Sequence, residues 1–324
     1  MARRNQALAL GAAGVGAGLA VVAAYQSARR HRDEVLDLSE LAIADHAEPV
    51  SVTVDDGAVI HGVSAGEGRP IVLLHGVTLS VATWPYQVAE LSKDYRVIAL
   101  DARGHGKSKF HGAGWGIDRM AADVAQVLSQ LELRDAVLVG HSMGGMMTQQ
   151  LCLDFPDLAR ERIAGTILLS TAAAPAQSVP FGGATTRAAR PGVMSARRAA
   201  AGARVMPTGE VGYAMSRLGL GAKPDPRHVA HTRNMVAATS AATIASLLPN
   251  VVGFDVRSRL KKYPVPALVI TGSRDLLTPP RVGRELARRI PGAEFEVVPG
   301  AGHMLMLERG EWLNDRIARF AKDN

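Results

Sequence analysis

Short runs of apolar residues recur along the chain, and longer segments with helical spacing separate them. Each run has the length of a single buried strand. Continuous apolar strands that alternate with helices are typical of a parallel sheet covered on both faces. The pattern therefore predicts an α/β fold with a mostly parallel central sheet and helices on both faces. The predicted strands are 71–74, 96–100, 136–139, 163–169, 267–270 and 295–298, and the predicted helices are 81–91, 117–131, 143–151 and 281–290.

Two parts of the chain depart from this alternation. Residues 50–63 alternate between apolar and polar positions around Asp55-Asp56-Gly57, which predicts a β-hairpin. Residues 173–262 contain no strand-like run, are rich in Ala, Arg, Gly and Met, and include a helical pattern over 229–248 that prolines such as Pro249 should break. We therefore expect a mainly helical cap inserted at 173–262, between core segments 35–172 and 263–324. Met194, Met206, Met215 and Met235 could line an apolar pocket in this cap.

Residues 1–34 form a separate apolar segment. Residues 7–25 carry no charge, and arginines flank them on both sides. The run is close to the ~20 residues that a helix needs to cross a bilayer. We expect a membrane-associated protein with a single N-terminal anchor. The alternatives are a signal peptide cut after Ala24, with export of the protein, and a leader on a cytoplasmic protein.

The composition and motifs of the chain limit which metals, cofactors and macromolecules it is expected to bind. The 324 residues are 47% hydrophobic and 21% charged, which is typical of a globular protein, and one cysteine, Cys152, excludes an internal disulfide. The net charge of +7 is concentrated in the predicted cap. No zinc-ligand spacing, basic heptad or nucleotide fingerprint occurs. We therefore expect no metal, no cofactor and no nucleic acid partner.

A candidate nucleophile lies in Gly140-His141-Ser142-Met143-Gly144, which follows a predicted strand and opens a predicted helix. The G-x-S-x-G pattern makes a strained strand-to-helix turn that exposes the serine oxygen. Gly140 and Gly144 are needed because neighbouring backbone comes too close for a Cβ atom. Serine is a poor nucleophile alone and needs a base within hydrogen-bond reach.

Four short blocks stand out in the predicted core: Leu74-His75-Gly76, Asp101-Ala102-Arg103-Gly104-His105-Gly106-Lys107-Ser108, Gly140-His141-Ser142-Met143-Gly144-Gly145, and Gly272-Ser273-Arg274-Asp275 with Gly300-Ala301-Gly302-His303. These blocks resemble those of the α/β-hydrolase fold family, especially its Ser-dependent, cap-bearing esterase and lipase branch. The resemblance covers about residues 48–172 and 263–324, and the blocks follow the family order of nucleophile, acid and base.

The resemblance implies a role for each site residue. His303 would be the base that activates Ser142, and Asp275 would orient its imidazole. The backbone N–H groups of Met143 and Val77 would bind the oxyanion.

Other residues are expected to shape the loops around this site. His75 and Gly76 would support the loop that carries Val77. In the second block, Arg103 and His105 are expected to hydrogen-bond backbone and to play a structural part.

The leading hypothesis is a serine hydrolase that cleaves carboxylic esters through an acyl-enzyme. Its substrate would be a small-molecule or lipid ester with an apolar acyl group. A perhydrolase, haloperoxidase-like enzyme or carbon–carbon bond hydrolase on the same triad stays open, as does a ligand-binding receptor that retains the triad. Epoxide hydrolases and haloalkane dehalogenases have a carboxylate nucleophile at the position of Ser142, so the serine argues against both of these enzyme classes.

Overall fold

Eight strands form one sheet in the computed structural model, which describes residues 36–108, 116–174 and 210–324. The spatial order is β1-β2-β4-β3-β5-β6-β7-β8. The strands from β4 to β8 in this order run parallel, whereas β2 pairs antiparallel with both β4 and β1. The predicted, mostly parallel sheet is confirmed. The strands are β1 Glu48–Thr53, β2 Val59–Ala65, β3 Pro70–Leu74, β4 Arg96–Leu100, β5 Ala136–His141, β6 Ile163–Leu169, β7 Ala267–Gly272 and β8 Glu294–Val298.

Helices cover both faces of this sheet. Successive residues of β3 alternate between two buried layers: Ile71 and Leu73 pack with α1, α9 and α10, whereas Val72 and Leu74 pack with α2, α3 and α8. This alternation explains why the strands read as continuous apolar runs. The helices are α1 Pro85–Leu91, α2 Ile117–Gln130, α3 Met143–Asp154, α4 Pro156–Arg162, α5 Glu210–Leu218, α6 Pro226–Ala238, α7 Ala241–Gly253, α8 Pro280–Arg289, α9 Leu305–Glu308 and α10 Gly310–Asp323.

Local caps moved several predicted helix boundaries. The helix predicted over 81–91 begins as a 3-10 turn, Val81–Thr83, and becomes α-helical at Pro85. The pattern over 229–248 is two helices, because the Ser240 side chain accepts a hydrogen bond from the Thr243 N–H and starts α7 there. Pro249 lies inside α7, so the expectation that it breaks the helix was wrong.

The segment between β6 and β7 carries α5, α6 and α7, and its helices contact the core near α1. The His231 Nε2 atom lies 2.8 Å from the Ala82 carbonyl, and His228 Nε2 lies 3.0 Å from the Tyr86 hydroxyl. Met235 is buried in this contact. Met194 and Met206 lie outside the described residues, and the division of the chain at 173–262 stays a prediction.

Within the described ranges, no single helix has the length and apolar composition to cross a membrane. Helices α6 and α7 pass that test only as a pair, and they are bent by 99° where they meet. The predicted anchor, residues 7–25, lies outside the described residues and stays a prediction.

A buried arginine joins the hairpin to α2. Arg103 donates from Nε and Nη2 to the two carboxylate oxygens of Asp123, at 2.8 and 2.7 Å, and from Nη1 to Asp56 at 2.7 Å. The side chains of Arg103 and Asp123 are 0% and 3% exposed. The expectation that Arg103 bonds backbone was incomplete, because its charge is satisfied by two carboxylates from distant parts of the chain.

Asp123→Ala should lower the free energy of unfolding by about 3 kcal/mol, because it leaves a buried guanidinium without its main partner. Urea unfolding monitored by circular dichroism would measure the change. Asp157→Ala, in the exposed pair with Arg160, should change it by less than about 1 kcal/mol. Equal effects of the two substitutions would contradict the structural part assigned to Arg103.

Candidate active site

Ser142 occupies a strained turn between the end of β5 and the start of α3. Its φ is 52° and its ψ is −113°, a conformation that L-residues rarely adopt. The Ser142 N–H donates to the Leu169 carbonyl at 2.9 Å, and the Ser142 carbonyl accepts from the Thr171 hydroxyl at 2.7 Å. These bonds tie the turn to β6 and the residues after it, and the Ser142 side chain stays partly exposed.

The two glycines of the motif have no room for a side chain. A Cβ atom on Gly144 would lie 2.1 Å from the Leu74 carbonyl oxygen, and one on Gly140 would lie 2.6 Å from the Gly144 carbonyl oxygen. The start of α3 therefore packs directly against the end of β3. Close packing of this kind is what the sequence predicted for both positions.

Asp275 and His303 meet after the ends of β7 and β8. His303 Nδ1 lies 2.9 Å from Asp275 Oδ2, which also accepts from the Thr278 hydroxyl at 2.7 Å. The Leu277 and Thr278 N–H groups donate to Oδ1. Burial alone would raise the pKa of the Asp275 carboxyl, but His303 and these hydrogen bonds hold that pKa below its ordinary value of 3.8. The carboxylate accepts the Nδ1 proton, which leaves Nε2 of His303 as the basic nitrogen.

His141 links the serine turn to the His303 loop. Its Nε2 lies 3.0 Å from the His303 carbonyl oxygen, and the two rings are 4.8 Å apart. Burial and the nearby His303 lower the pKa of His141 well below its ordinary value, so the ring is neutral and donates from Nε2. Among the hydrogen bonds of the described residues, none joins Ser142 Oγ to His303. Catalytic hydrogen bonds are often long until substrate binds.

Two backbone N–H groups flank the serine turn. Gly76 passes so close that a Cβ atom on it would lie 3.2 Å from Ser142 Cβ, which places the loop of Val77 beside the serine. The Met143 N–H is the first of α3. Neither the Val77 nor the Met143 N–H donates to another described residue. The two N–H groups therefore have no acceptor in the described part of the chain.

Two neutral histidines support the loop that carries Val77. His75 accepts from the Ala102 N–H at 2.9 Å through Nε2, and its Nδ1 donates to the Gly76 carbonyl at 2.7 Å. Burial lowers the pKa of His75 to about 4. His105 Nε2 accepts from the N–H of Thr78, whose φ is 65°. The expected supporting parts of His75 and His105 agree with these contacts.

Sequence reasoning missed two contributors, Thr278 and His141. Thr278 follows the candidate acid Asp275 by three positions, and that spacing is only a weak indication that its hydroxyl bonds the carboxylate. His141 was visible inside the motif, but its contact with the His303 carbonyl depends on the fold. Among the described residues, no cluster of three or more histidine, cysteine or acidic side chains could hold a metal ion.

Comparison with known proteins gives one consistent family. Residues 69–310 match a family described as the alpha/beta hydrolase fold. The AB hydrolase superfamily protein YisY of Bacillus subtilis is 31% identical over 79% of this chain and 92% of its own length. A putative non-heme chloroperoxidase of Synechocystis is 29% identical over 83% of this chain and 96% of its own. A solved thermophilic esterase from Thermogutta terrifontis has a TM-score of 0.71 at 27% identity, covering 86% of this chain and 99% of that one.

Asp275→Asn should lower the free energy of unfolding at neutral pH, because the fold favours the ionised carboxylate. A depressed pKa contributes stability that is present above the ordinary value of 3.8 and is lost as the pH falls through the folded-state value. The difference between wild type and variant should therefore shrink in acid. Urea unfolding at a series of pH values measures it, with Asp157→Asn as the control for loss of an exposed charge. A difference that grew in acid would contradict this reading.

Proposed function

The chain belongs to the α/β-hydrolase fold family, and within that family we propose that it is a serine hydrolase of carboxylic esters. Ser142 is the proposed nucleophile, His303 the base and Asp275 the acid that orients it. The observation that carries the proposal is the 2.9 Å contact of His303 Nδ1 with Asp275, which leaves Nε2 as the basic nitrogen beside the serine turn.

Acylation would begin with transfer of the Ser142 hydroxyl proton to His303 Nε2 as Oγ attacks the ester carbonyl. The imidazolium that forms is stabilised by the ionised Asp275, and it then protonates the leaving alcohol. Water attacks the acyl-enzyme in the second half-reaction, with His303 again as the base. Each step uses groups that lie at the same edge of the sheet.

The developing negative charge on the carbonyl oxygen would be bound by the Val77 and Met143 N–H groups. Both lie beside Ser142 and have no acceptor within the described part of the chain. Donors that are already oriented cost no reorganisation when the charge develops. The position of Met143 at the start of α3 adds the positive end of the helix dipole.

We propose an apolar acyl group as the preferred substrate. Leu276 and Leu277, which directly follow Asp275, are 56% and 54% exposed. Together these two side chains form an exposed apolar surface that directly follows the proposed acid in the chain. They favour an apolar group close to the triad.

Perhydrolysis is the second candidate. The observation that favours it is the similarity to a putative non-heme chloroperoxidase over most of both chains. The first half-reaction would be the same, and hydrogen peroxide would replace water as the acceptor of the acyl group. Peracetic acid formed from an acetate ester and hydrogen peroxide, detected by its oxidation of bromide ion, distinguishes this reaction from hydrolysis.

Ser142→Ala should abolish hydrolysis of nitrophenyl esters, lowering kcat by at least about a thousandfold. The measurement compares esters from acetate to palmitate, and the best chain length separates an esterase from a lipase. Ser39→Ala, at an exposed serine remote from the turn, is the matched control and should leave kcat unchanged. Full activity in Ser142→Ala would show that the nucleophile is assigned wrongly. An inactive wild type would move perhydrolysis, carbon–carbon bond hydrolysis and ligand binding ahead of ester hydrolysis.

Val77→Pro removes one proposed oxyanion donor and should lower kcat about 100-fold with a small change in KM. Val77→Ala keeps the N–H and is the matched control, so it should stay close to wild type. Thermal unfolding of both variants tests that the loop still folds. If the two variants lost activity equally, the side chain rather than the N–H would be the important group.

A further inference from the structure

Glu308, at the end of α9, lies outside the proposed triad and accepts hydrogen bonds from the backbone of two different segments. Glu308 is partly buried, and its carboxylate accepts from the Gly302 N–H at 3.0 and 3.1 Å. The same carboxylate accepts from the Gly221 N–H at 2.6 Å. Gly302 precedes His303 in the chain, whereas Gly221 belongs to the segment between β6 and β7.

The two backbone segments that Glu308 joins lie unusually close together. We call Gly219–Ala222 the strap and Gly300–His303 the histidine loop. A Cβ atom on Gly302 would lie 2.4 Å from the Gly221 nitrogen, and one on Gly221 would lie 2.2 Å from the Gly300 carbonyl oxygen. Glycine on both sides is what allows backbone to contact backbone here.

Hydrogen bonds connect the strap directly to His303. The His303 N–H donates to the Gly219 carbonyl at 2.8 Å, and the Ala222 N–H donates to the Gly300 carbonyl at 3.2 Å. The His303 carbonyl accepts from His141. The backbone of His303 is therefore held by the strap at its N–H and by the serine motif at its carbonyl.

Charged groups hold the strap from opposite sides. Arg217 donates to the Gly221 and Ala222 carbonyls at 2.8 and 2.9 Å, while Glu308 accepts the Gly221 N–H. Burial raises the pKa of Glu308, and its hydrogen bonds with Gly221 and Gly302, together with the charge of Arg309, oppose that rise. The Glu308 carboxylate therefore supplies the acceptor for two backbone N–H groups, one in the strap and one in the histidine loop.

We propose that Glu308 is a positioning residue for the triad, which fixes the His303 ring by clamping the histidine loop to the strap. The inference rests on the proposed function, in which His303 is the base. No hydrogen bond between described residues joins the Glu308 side chain to Ser142, Asp275 or the His303 ring, and its carboxylate binds the Gly221 and Gly302 N–H groups. It acts on the residue before His303 and on the segment that bonds the His303 N–H, so its loss allows the imidazole to shift relative to Ser142.

Glu308→Ala and Glu308→Gln test this on the full chain, with Glu311→Gln as the control for an exposed glutamate in the next helix. Active sites are first counted with a fluorophosphonate that labels Ser142, and kcat is expressed per labelled site. This count removes any effect of a smaller folded fraction, which a merely structural role would produce.

We expect kcat per site to fall about 100-fold in Glu308→Ala with KM changed little, since a displacement of about 1 Å has that effect on a positioned group. Glu308→Gln keeps one acceptor oxygen and should recover part of the activity, to within about tenfold of wild type. The rate of fluorophosphonate labelling should fall in the same order. Glu311→Gln should match wild type in all three measurements.

Hydrogen–deuterium exchange gives a readout that does not depend on catalysis. In Glu308→Ala, amides of the strap and of the histidine loop should exchange faster, while β3 and β5 keep wild-type exchange. Wild-type kcat per site in Glu308→Ala, or unchanged exchange at both segments, would overturn the proposal. If wild type hydrolyses no ester, the proposed function fails, whereas faster exchange and slower labelling in the variant would still support the clamp.

Discussion

The strained turn at Ser142 is the constraint on which the rest of the site depends. A serine at φ 52° and ψ −113° costs about 1–3 kcal/mol, and surrounding structure must hold it in place. Here β6 holds its N–H, Thr171 holds its carbonyl, and the start of α3 packs against the end of β3. That packing requires glycine at 140 and 144. The turn exposes the hydroxyl only because the strands on either side are already fixed by the buried layers.

Buried neutral histidines connect the loops around this turn. His75, His105 and His141 are all buried, and burial is the largest cause that lowers the pKa of each. An uncharged imidazole offers one donor and one acceptor, so His75 and His105 each join two backbone groups without placing a charge in the site. His141 bonds one backbone group, the His303 carbonyl, through Nε2. His303 differs from them because Asp275 contacts its Nδ1. In the proposed mechanism, a positive charge that forms on His303 would therefore develop beside the Asp275 carboxylate.

The segment between β6 and β7 is coupled to the core through backbone as well as side chains. The strap bonds the His303 N–H, and α6 contacts residues next to the Val77 loop through His231 and Ala82. Sequence changes in this segment can therefore reach both sides of the site. A substrate that contacts the segment would meet the same elements that hold the candidate base.

The sequence by itself determined the parallel sheet, the serine turn and the order of the candidate triad residues, because these follow from local apolar runs and short motifs. Helix caps and long-range side-chain contacts decided the helix boundaries and the connections between loops. The Ser240 cap divided one predicted helix, and Pro249 lies inside a helix that the sequence pattern predicted it would break. The contacts of Arg103 with Asp123, His141 with the His303 carbonyl and Glu308 with Gly221 join residues 20, 162 and 87 positions apart. No local pattern specifies such partners, because only the packed sheet brings their segments together.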